Sequence, residues 1–238
     1  MSDKTLSRPT YRLNAELLLT LLCLIACRDD GHPSSGGSIS TKPQSSSAQP
    51  PAHPLEWYLN PRDSNATVAA QSSEAELRER FGQGEIRPER VELGEGETSP
   101  GTALFPNDSL RRMEIIWQDT IARKRPARII IRGSQSRWQV GPGISLNTSL
   151  QELEHLNGKP FTLAGFGWDY AGVITNWNGG ALDSSLAGVK LYLDPGPAQY
   201  ESAPYSQVLG DQDFSSSLPA MQQLSPKVRT IYVDFEGR

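Results

Sequence analysis

Residues 127–132 read Ala127-Arg128-Ile129-Ile130-Ile131-Arg132, an aliphatic run with charged residues inside and at its end. A similar run occupies residues 228–233 and reads Val228-Arg229-Thr230-Ile231-Tyr232-Val233. Short runs of β-branched and aromatic residues, in which apolar and polar side chains alternate, are typical of strands. We therefore predict a strand in each run, and each strand closes one half of a folded region.

Further strands are predicted in front of both runs. Residues 111–117 and 127–132 form one predicted pair, joined by a turn region over residues 119–126. A second set is predicted at residues 161–164, 170–177, 186–193 and 228–235. Gly, Pro, Asn and Asp bound these segments, as expected for strand ends.

Two short helices are predicted, one ahead of each set of strands. Residues 72–82 contain a capping serine, acidic residues in the first turn, basic residues in the last turn and a final glycine. Residues 147–158 follow the same plan, with Thr148 or Ser149 as the cap and Leu150, Leu153 and Leu156 on one face. A capping side chain at the start and a glycine at the end are the usual boundaries of a helix.

The order of these elements predicts an α+β fold, in which short helices pack on antiparallel sheet. Because both halves run from a capped helix to an alternating last strand, we predict a possible tandem repeat over residues 72–140 and 147–238. The second copy carries an insertion over residues 195–226. This order is similar to the tandem modules of SmpA/OmlA-type assembly lipoproteins and of β-lactamase inhibitor proteins, and that resemblance implies the fold alone.

Three short strings show a second resemblance. They are Leu104-Phe105-Pro106-Asn107-Asp108, Leu156-Asn157-Gly158-Lys159-Pro160-Phe161 and Gly165-Phe166-Gly167-Trp168-Asp169-Tyr170. These strings resemble a family of exported bacterial proteins that has no assigned function. The resemblance implies export and adds no activity.

The N-terminal region has the pattern of a secretory signal peptide. Lys4, Arg8 and Arg12 precede an uncharged run of ten residues, 17–26. A helix needs about 20 apolar residues to span a membrane, so this run is too short to remain as an anchor. We therefore predict that residues 1–26 are a signal peptide.

The residues that end this run are Leu24-Ile25-Ala26-Cys27, which resemble the bacterial lipobox. The resemblance implies that the Cys27 thiol takes a diacylglyceryl group and that the signal peptide is cut before Cys27. The new amine is then acylated with a fatty acid such as palmitate. Two or more acyl chains anchor a protein stably. Because Arg28 and not aspartate follows Cys27, the resemblance implies the outer membrane, on the side that faces the periplasm, in preference to the inner membrane, which is the alternative.

A tether and one folded region follow the lipobox. Residues 27–54 are rich in Ser, Gly, Pro, Gln and Thr, a composition typical of a disordered linker. Residues 55–238 are long enough for one domain or two small halves. The chain has two cysteines, Cys23 and Cys27, so the predicted domain contains no disulfide, metal-binding or nucleophilic thiol.

The charge balance argues against nucleic acid as a partner. The whole chain carries a net charge of −4, and residues 1–26 hold three basic and two acidic residues, so the chain after the signal peptide stands at −5. Affinity for nucleic acid depends mainly on basic residues that neutralise phosphates. We therefore expect the partners to be the membrane, through the lipid anchor, and a protein or another envelope component.

Catalytic motifs do not emerge from the residues. Of three histidines, only His155 belongs to the predicted domain, so neither a Ser-His-Asp system nor a zinc site is predicted. We predict that the protein is not an enzyme and uses no cofactor or metal. The alternative is an envelope hydrolase with paired carboxylates near Asp169 and Asp183, because acid pairs perform glycoside hydrolysis.

The most distinctive string is Gly165-Phe166-Gly167-Trp168-Asp169-Tyr170-Ala171-Gly172, followed by Trp177-Asn178-Gly179-Gly180. Aromatic residues between glycines can form a flat surface for a sugar ring or a partner side chain. The candidate partner-binding residues are therefore Phe166, Trp168, Asp169, Tyr170 and Trp177. The other interpretation is a hairpin whose rings fill the core, with Asp169 bonded to turn backbone.

Overall fold

The computed structural model describes residues 57–94 and 96–235. The signal peptide over 1–26, the lipidation at Cys27 and the tether over 27–54 lie outside these residues. The described residues form eleven strands and five short α-helices. The strands are β1 Tyr58–Leu59, β2 Ile86–Gly94, β3 Glu97–Leu104, β4 Met113–Asp119, β5 Lys124–Arg132, β6 Gln139–Val140, β7 Thr162–Ala164, β8 Ile174–Asn176, β9 Val189–Asp194, β10 Asp213–Ser215 and β11 Lys227–Asp234. The helices are α1 Glu74–Phe81, α2 Leu150–Asn157, α3 Ala181–Ser185, α4 Ala203–Ser206 and α5 Pro219–Leu224.

One large antiparallel sheet dominates the architecture. Its six strands lie in the order β2-β3-β4-β5-β11-β9. A smaller antiparallel sheet has the order β10-β7-β8, and β1 pairs with β6 in parallel. A single bridge between Val173 and Tyr192 connects the segment before β8 to β9. The helices and the sheets together confirm the predicted α+β class.

The core lies on one face of the large sheet. Side chains alternate between the two faces of a strand, so Ile129 and Ile131 of β5 and Ile231 of β11 point into it. Leu77 of α1 and Leu153 of α2 are buried in the same cluster. Full burial of an aliphatic side chain of this size stabilises a fold by about 1.5–3 kcal/mol.

The two predicted helices form where their capping signals lie. Ser73 caps α1, and its side chain accepts from the Glu76 backbone amide while the Glu76 carboxylate accepts from the Ser73 amide. Ser149 and Glu152 form the same reciprocal pair at the start of α2. Both helices end at a glycine with positive φ, Gly82 and Gly158, so the predicted boundaries are confirmed.

Each capping serine also contacts the strand that closes its half of the chain. Ser73 forms an antiparallel bridge with Lys124, the first residue of β5, and Ser149 forms one with Lys227, the first residue of β11. The two closing strands then pair with each other, with Ile131 opposite Ile231. The tandem repeat over residues 72–140 and 147–238 stays a prediction, and these pairings are the observations that bear on it.

The strand predictions are confirmed in part. Residues 113–119 and 124–132 form the predicted pair, β4 and β5. The strand predicted over 170–177 is wrong in its first half, because β8 begins only at Ile174, after a turn that contains Gly172 with φ 68°. The long hairpin of β2 and β3 was not predicted, and β11 joins the two predicted sets by pairing with both β5 and β9.

Candidate functional site

The outer face of the large sheet, opposite the core, carries a second apolar cluster. Val91, Ile130 and Tyr232 lie on this face and are 0 %, 0 % and 7 % exposed. Leu93, Ile116 and Tyr192 pack against them and are partly buried. A polar outer face can be exposed to solvent and needs no cover. Apolar side chains that are buried on this face must therefore be covered by another part of the chain.

That cover is the hairpin of β2 and β3, which bends over the outer face. The guanidinium of Arg132 on β5 donates to the backbone oxygen of Glu92 on β2 over 2.6 Å, although β3 and β4 separate these strands in the sheet. Gly101 on β3 permits the close approach. A Cβ at this position would lie 2.6 Å from both the Ile115 oxygen and a methyl carbon of Val91.

Ion pairs surround the apolar cluster. Glu114 accepts from both Arg112 and Arg132 at 3.1 Å, and Arg112 also pairs with Glu89. At the opposite side Asp234 pairs with Arg128. These charges balance each other, so the outer face has no large field of one sign.

Arg128 also contacts an aromatic ring. Its guanidinium carbon lies 4.7 Å from the centre of the Tyr232 ring, within the range of a cation–π interaction. Burial alone would lower the pKa of Arg128, but the hydrogen bond and the charge of Asp234 hold that pKa above its usual value. Arg128 therefore keeps its positive charge at the edge of the cluster.

A cleft of about 320 Å³ opens on this outer face, and we call it the outer-face cleft. One wall is the tip of the β2–β3 hairpin, and the other is the loop that holds Asp169 and Tyr170. Residues of β5, β9 and β11 form its floor. The lining residues are Glu92, Leu93, Gly94, Arg132, Asp169, Tyr170, Ala171, Tyr192, Leu193, Asp194, Arg229, Thr230 and Tyr232.

Tyrosine rings are the largest side chains in the outer-face cleft. The rings of Tyr192 and Tyr232 lie 4.8 Å apart at a tilt of 50°. Burial is the main cause that raises the pKa of Tyr192, and the neighbouring Tyr232 adds to it, so the hydroxyl of Tyr192 keeps its proton. Tyr170 is 49 % exposed and projects from the loop wall.

The loop wall contacts β9 closely through its backbone. The amide of Leu193 donates to the oxygen of Gly172 over 2.9 Å, and a Cβ on Gly172 would lie 2.0 Å from the Leu193 oxygen. The indole of Trp168 donates to the Gly165 oxygen over 2.9 Å and contacts the Tyr170 ring edge-on at 5.5 Å. Trp168 therefore packs against Tyr170 on the protein side of the loop.

The predicted aromatic site is divided between three places. Asp169 and Tyr170 line the outer-face cleft, and Trp168 supports Tyr170 from behind. Phe166 is 2 % exposed and stacks on Tyr205, so its ring belongs to the core. Trp177 is half-buried against Phe161 at 5.1 Å and is not among the lining residues of the cleft.

Four residues of the cleft were not predicted as site residues, namely Tyr192, Tyr232, Arg132 and Arg229. A signal for the tyrosines was present, because both occupy outward positions between aliphatic residues that point into the core. An aromatic residue at a position where a strand usually exposes a polar one indicates a covered or binding face. No comparable local pattern marks the two arginines.

The acidic residues proposed for hydrolysis also separate. Asp194 lines the outer-face cleft together with Asp169, whereas Asp183 on α3 is exposed and is not among the lining residues. Asp194 accepts from the Tyr200 hydroxyl at 2.8 Å and from the Gly196 amide. Burial and that hydrogen bond raise the pKa of Tyr200 to about 12. Asp194 therefore has a structural partner.

Metal binding finds no support in residues 57–94 and 96–235. No group of three or more His, Cys, Asp or Glu side chains in these ranges is placed to hold an ion. His155 is exposed on α2, beside a shallow depression lined by Gln151 and Glu152.

Within the same ranges, no helix has both the length and the apolar character that crossing a membrane requires.

Comparison with known proteins gives no relative for this chain: no family model, no curated protein and no solved structure matches it.

Proposed function

We propose that this chain is a non-catalytic bacterial lipoprotein, anchored through Cys27, whose domain binds a protein or another component of the cell envelope. The outer-face cleft is the proposed contact. The observation that supports it best is the position of Tyr170, a half-exposed ring beside two further tyrosines in a cleft of about 320 Å³.

The packing around Tyr170 favours binding. When binding orders a mobile side chain, the free energy of binding becomes less favourable by about 0.5–1.5 kcal/mol for each such side chain. Trp168 and the backbone contact between Gly172 and Leu193 already fix the loop. Tyrosine also offers an apolar ring and a polar hydroxyl, which is why it is common at binding surfaces.

The anchor would keep the domain close to its partners. With the tether predicted for residues 27–54, a flexible chain of this composition spans about 30 Å on average. The proposed location is the outer membrane, on the side that faces the periplasm. Both statements depend on the lipobox resemblance at Cys27 and on the composition of the linker.

Replacement of Cys27 by serine tests the anchor. We expect the Cys27→Ser chain to remain as an uncut precursor or to leave the membrane fraction, because the diacylglyceryl group has no thiol to join. Fractionation and mass spectrometry of the purified chain measure this. An unchanged membrane fraction with a chain cut before residue 27 would contradict the assignment.

Capture of envelope components tests the outer-face cleft. Wild type and Tyr170→Ala are purified from solubilised membranes, and the bound material is compared. We expect at least a tenfold loss of the captured component in Tyr170→Ala. Ile121→Ala is the matched control, because Ile121 is 96 % exposed and lies outside the cleft. Equal capture by all three chains would refute the proposed contact.

The alternative function, an envelope hydrolase with paired carboxylates, is supported by the shared position of Asp169 and Asp194 in the outer-face cleft. Asp183 does not take part in this arrangement. The test is release of labelled fragments from purified cell wall by wild type and by Asp169→Asn. Release by wild type that falls at least a hundredfold in Asp169→Asn would favour the enzyme over the binding protein.

A further inference from the structure

We infer that the outer-face cleft takes a neutral, polyhydroxylated ligand, that is, an uncharged sugar residue of an envelope glycan. The inference rests on the proposed binding function and names the chemical class of its ligand. The size of the cleft, the signs of its charges and the nature of its hydrogen-bonding groups support this class of ligand.

The size of the cleft limits the ligand. Pockets for small molecules usually enclose about 300–1,000 Å³. The outer-face cleft, at about 320 Å³, lies at the lower end of that range. It can hold one or two rings and is too small for a folded element of a partner protein. The open side lets a longer chain continue beyond the ring that is bound.

The charges in the cleft disfavour a charged ligand of either sign. Residues of both signs line it, the basic Arg132 and Arg229 and the acidic Glu92, Asp169 and Asp194. An anion would lie near the carboxylates, and a cation would lie near the guanidiniums. A charge that loses water near a like charge is strongly disfavoured.

A neutral polyol can use both kinds of group. A hydroxyl donates one hydrogen bond and accepts others, so it can donate to a carboxylate and accept from a guanidinium. Arg132 contacts Glu114 and the Glu92 backbone oxygen, and Arg229 donates to Asn147 over 2.9 Å. Each guanidinium has five N–H groups, so these contacts fix its position and leave further donors.

The tyrosines complete the set of groups. The partly buried Tyr192 lies on the floor against the buried Tyr232, and Tyr170 projects at the rim, so Tyr170 and Tyr192 are the rings that a ligand can reach. The carbon-bound hydrogens of a sugar ring present an apolar face, which can pack against an aromatic ring while the hydroxyls point to the rim. Thr230, on the floor beside them, adds one more hydroxyl that both donates and accepts.

The experiment compares three trimers of similar size with the full chain in detergent. The probes are the N-acetylglucosamine trimer (chitotriose in its fully N-acetylated form), which is neutral, the unacetylated glucosamine trimer, which is cationic, and trigalacturonate, which is anionic. Titration calorimetry gives each Kd, and tryptophan fluorescence, to which Trp168 beside Tyr170 contributes, gives a second signal. We expect chitotriose to bind at least tenfold more tightly than either charged trimer.

Two variants assign the binding to the cleft. Tyr170→Ala should abolish binding of chitotriose, and Tyr170→Phe, which keeps the ring and removes only the hydroxyl, should weaken it about three- to tenfold. Circular dichroism establishes that both variants fold. Ile121→Ala, outside the cleft, should bind as wild type does. Equal binding by wild type and Tyr170→Ala would overturn the inference.

Salt dependence gives an independent test of the charge argument. Affinity for a charged ligand falls as salt screens the interaction, whereas affinity for a neutral ligand does not. We expect the Kd of chitotriose to change less than twofold between 50 and 500 mM NaCl. The inference fails if a charged trimer binds as tightly as chitotriose, or if no trimer binds. Capture of a membrane component that still depends on Tyr170 would then leave the proposed function standing, so the two failures are distinguishable.

Discussion

Glu74 is the charged residue on which we expect stability to depend most clearly on pH. Its carboxylate is largely buried at the start of α1 and accepts from Thr102, Arg78 and Arg123. The Thr102 hydroxyl accepts in turn from the indole of Trp117 over 2.9 Å. Burial would raise the pKa of Glu74, but these hydrogen bonds together hold it below the ordinary value of 4.5.

The perturbation is Glu74→Gln, which keeps the shape and removes the charge. A hydrogen bond to a charged group contributes about 1.5–3 kcal/mol when it is buried. Arg78 and Arg123 are partly exposed, so their contributions are reduced by solvent. We expect a loss of about 2 kcal/mol in the free energy of unfolding at pH 7, mostly from the buried bond to Thr102. For a domain of this size that lowers Tm by about 4–8 °C.

The effect must also change with pH in a definite direction. Because the pKa of Glu74 is lowered in the folded state, the stabilisation is complete above the unfolded value and is lost as pH falls through the folded value. Urea denaturation at pH 7, 5, 4 and 3 should show the gap between wild type and Glu74→Gln closing toward low pH. Glu79→Gln, an exposed position on the same helix, is the control. A gap that is equally large at every pH, or a control that loses as much, would refute the reasoning.

Three further predictions concern packing and hydrogen bonding. Gly101→Ala should lower the free energy of unfolding by about 1–3 kcal/mol, because the hairpin must move away from β4. Gly84→Ala is the control and should change that free energy little, because a Cβ there meets no atom within 4 Å. Chemical denaturation compares the two variants, and similar values would contradict the bend described for β3. Leu153→Ala should lose about 2–5 kcal/mol by leaving a cavity in the core, and a thermal melt within 2 °C of wild type would show that Leu153 is not packed as described. In a spectrophotometric titration Tyr200 should ionise near pH 12, and Asp194→Asn should lower that pKa; a pKa of Tyr200 that does not change would exclude the hydrogen bond as a cause.

The elements that could be predicted are those with local signals. The capping boxes of α1 and α2 lie within four residues of sequence, so Ser73 and Ser149 can be identified without knowledge of the fold. The same holds for β5, whose aliphatic alternation is set by its own residues. The α+β class follows from such segments alone.

The β2–β3 hairpin could not be predicted by the same means. Its strands contain Pro88 and Pro100 together with many charged residues, and this composition predicts a loop. They form strands because the hairpin buries its own Val91 against Ile130 on the outer face. Such burial depends on contacts between residues far apart in the chain, and tertiary packing of this kind commonly overrides local propensity.

The outer-face cleft was predictable only in part. Asp169 and Tyr170 belong to a distinctive string, but glycines around Phe166 do not reveal which ring points inward. Tyr192 and Tyr232 come together because β9 and β11 pair in one particular register. A shift of β9 by one residue would turn Tyr192 toward the core and away from Tyr232, so the site depends on a pairing that no local pattern specifies.

The place of β11 in the large sheet also has a consequence for the order in which the domain can form. β11 follows every other described strand in sequence, yet it lies between β5 and β9 and pairs with both. The sheet therefore stays open until residues 227–234 arrive, and β9 has no neighbour in it before then. If the chain is exported, the complete sheet can form only after residues 227–234 have also crossed the membrane, because the pairing of β11 with both β5 and β9 depends on them.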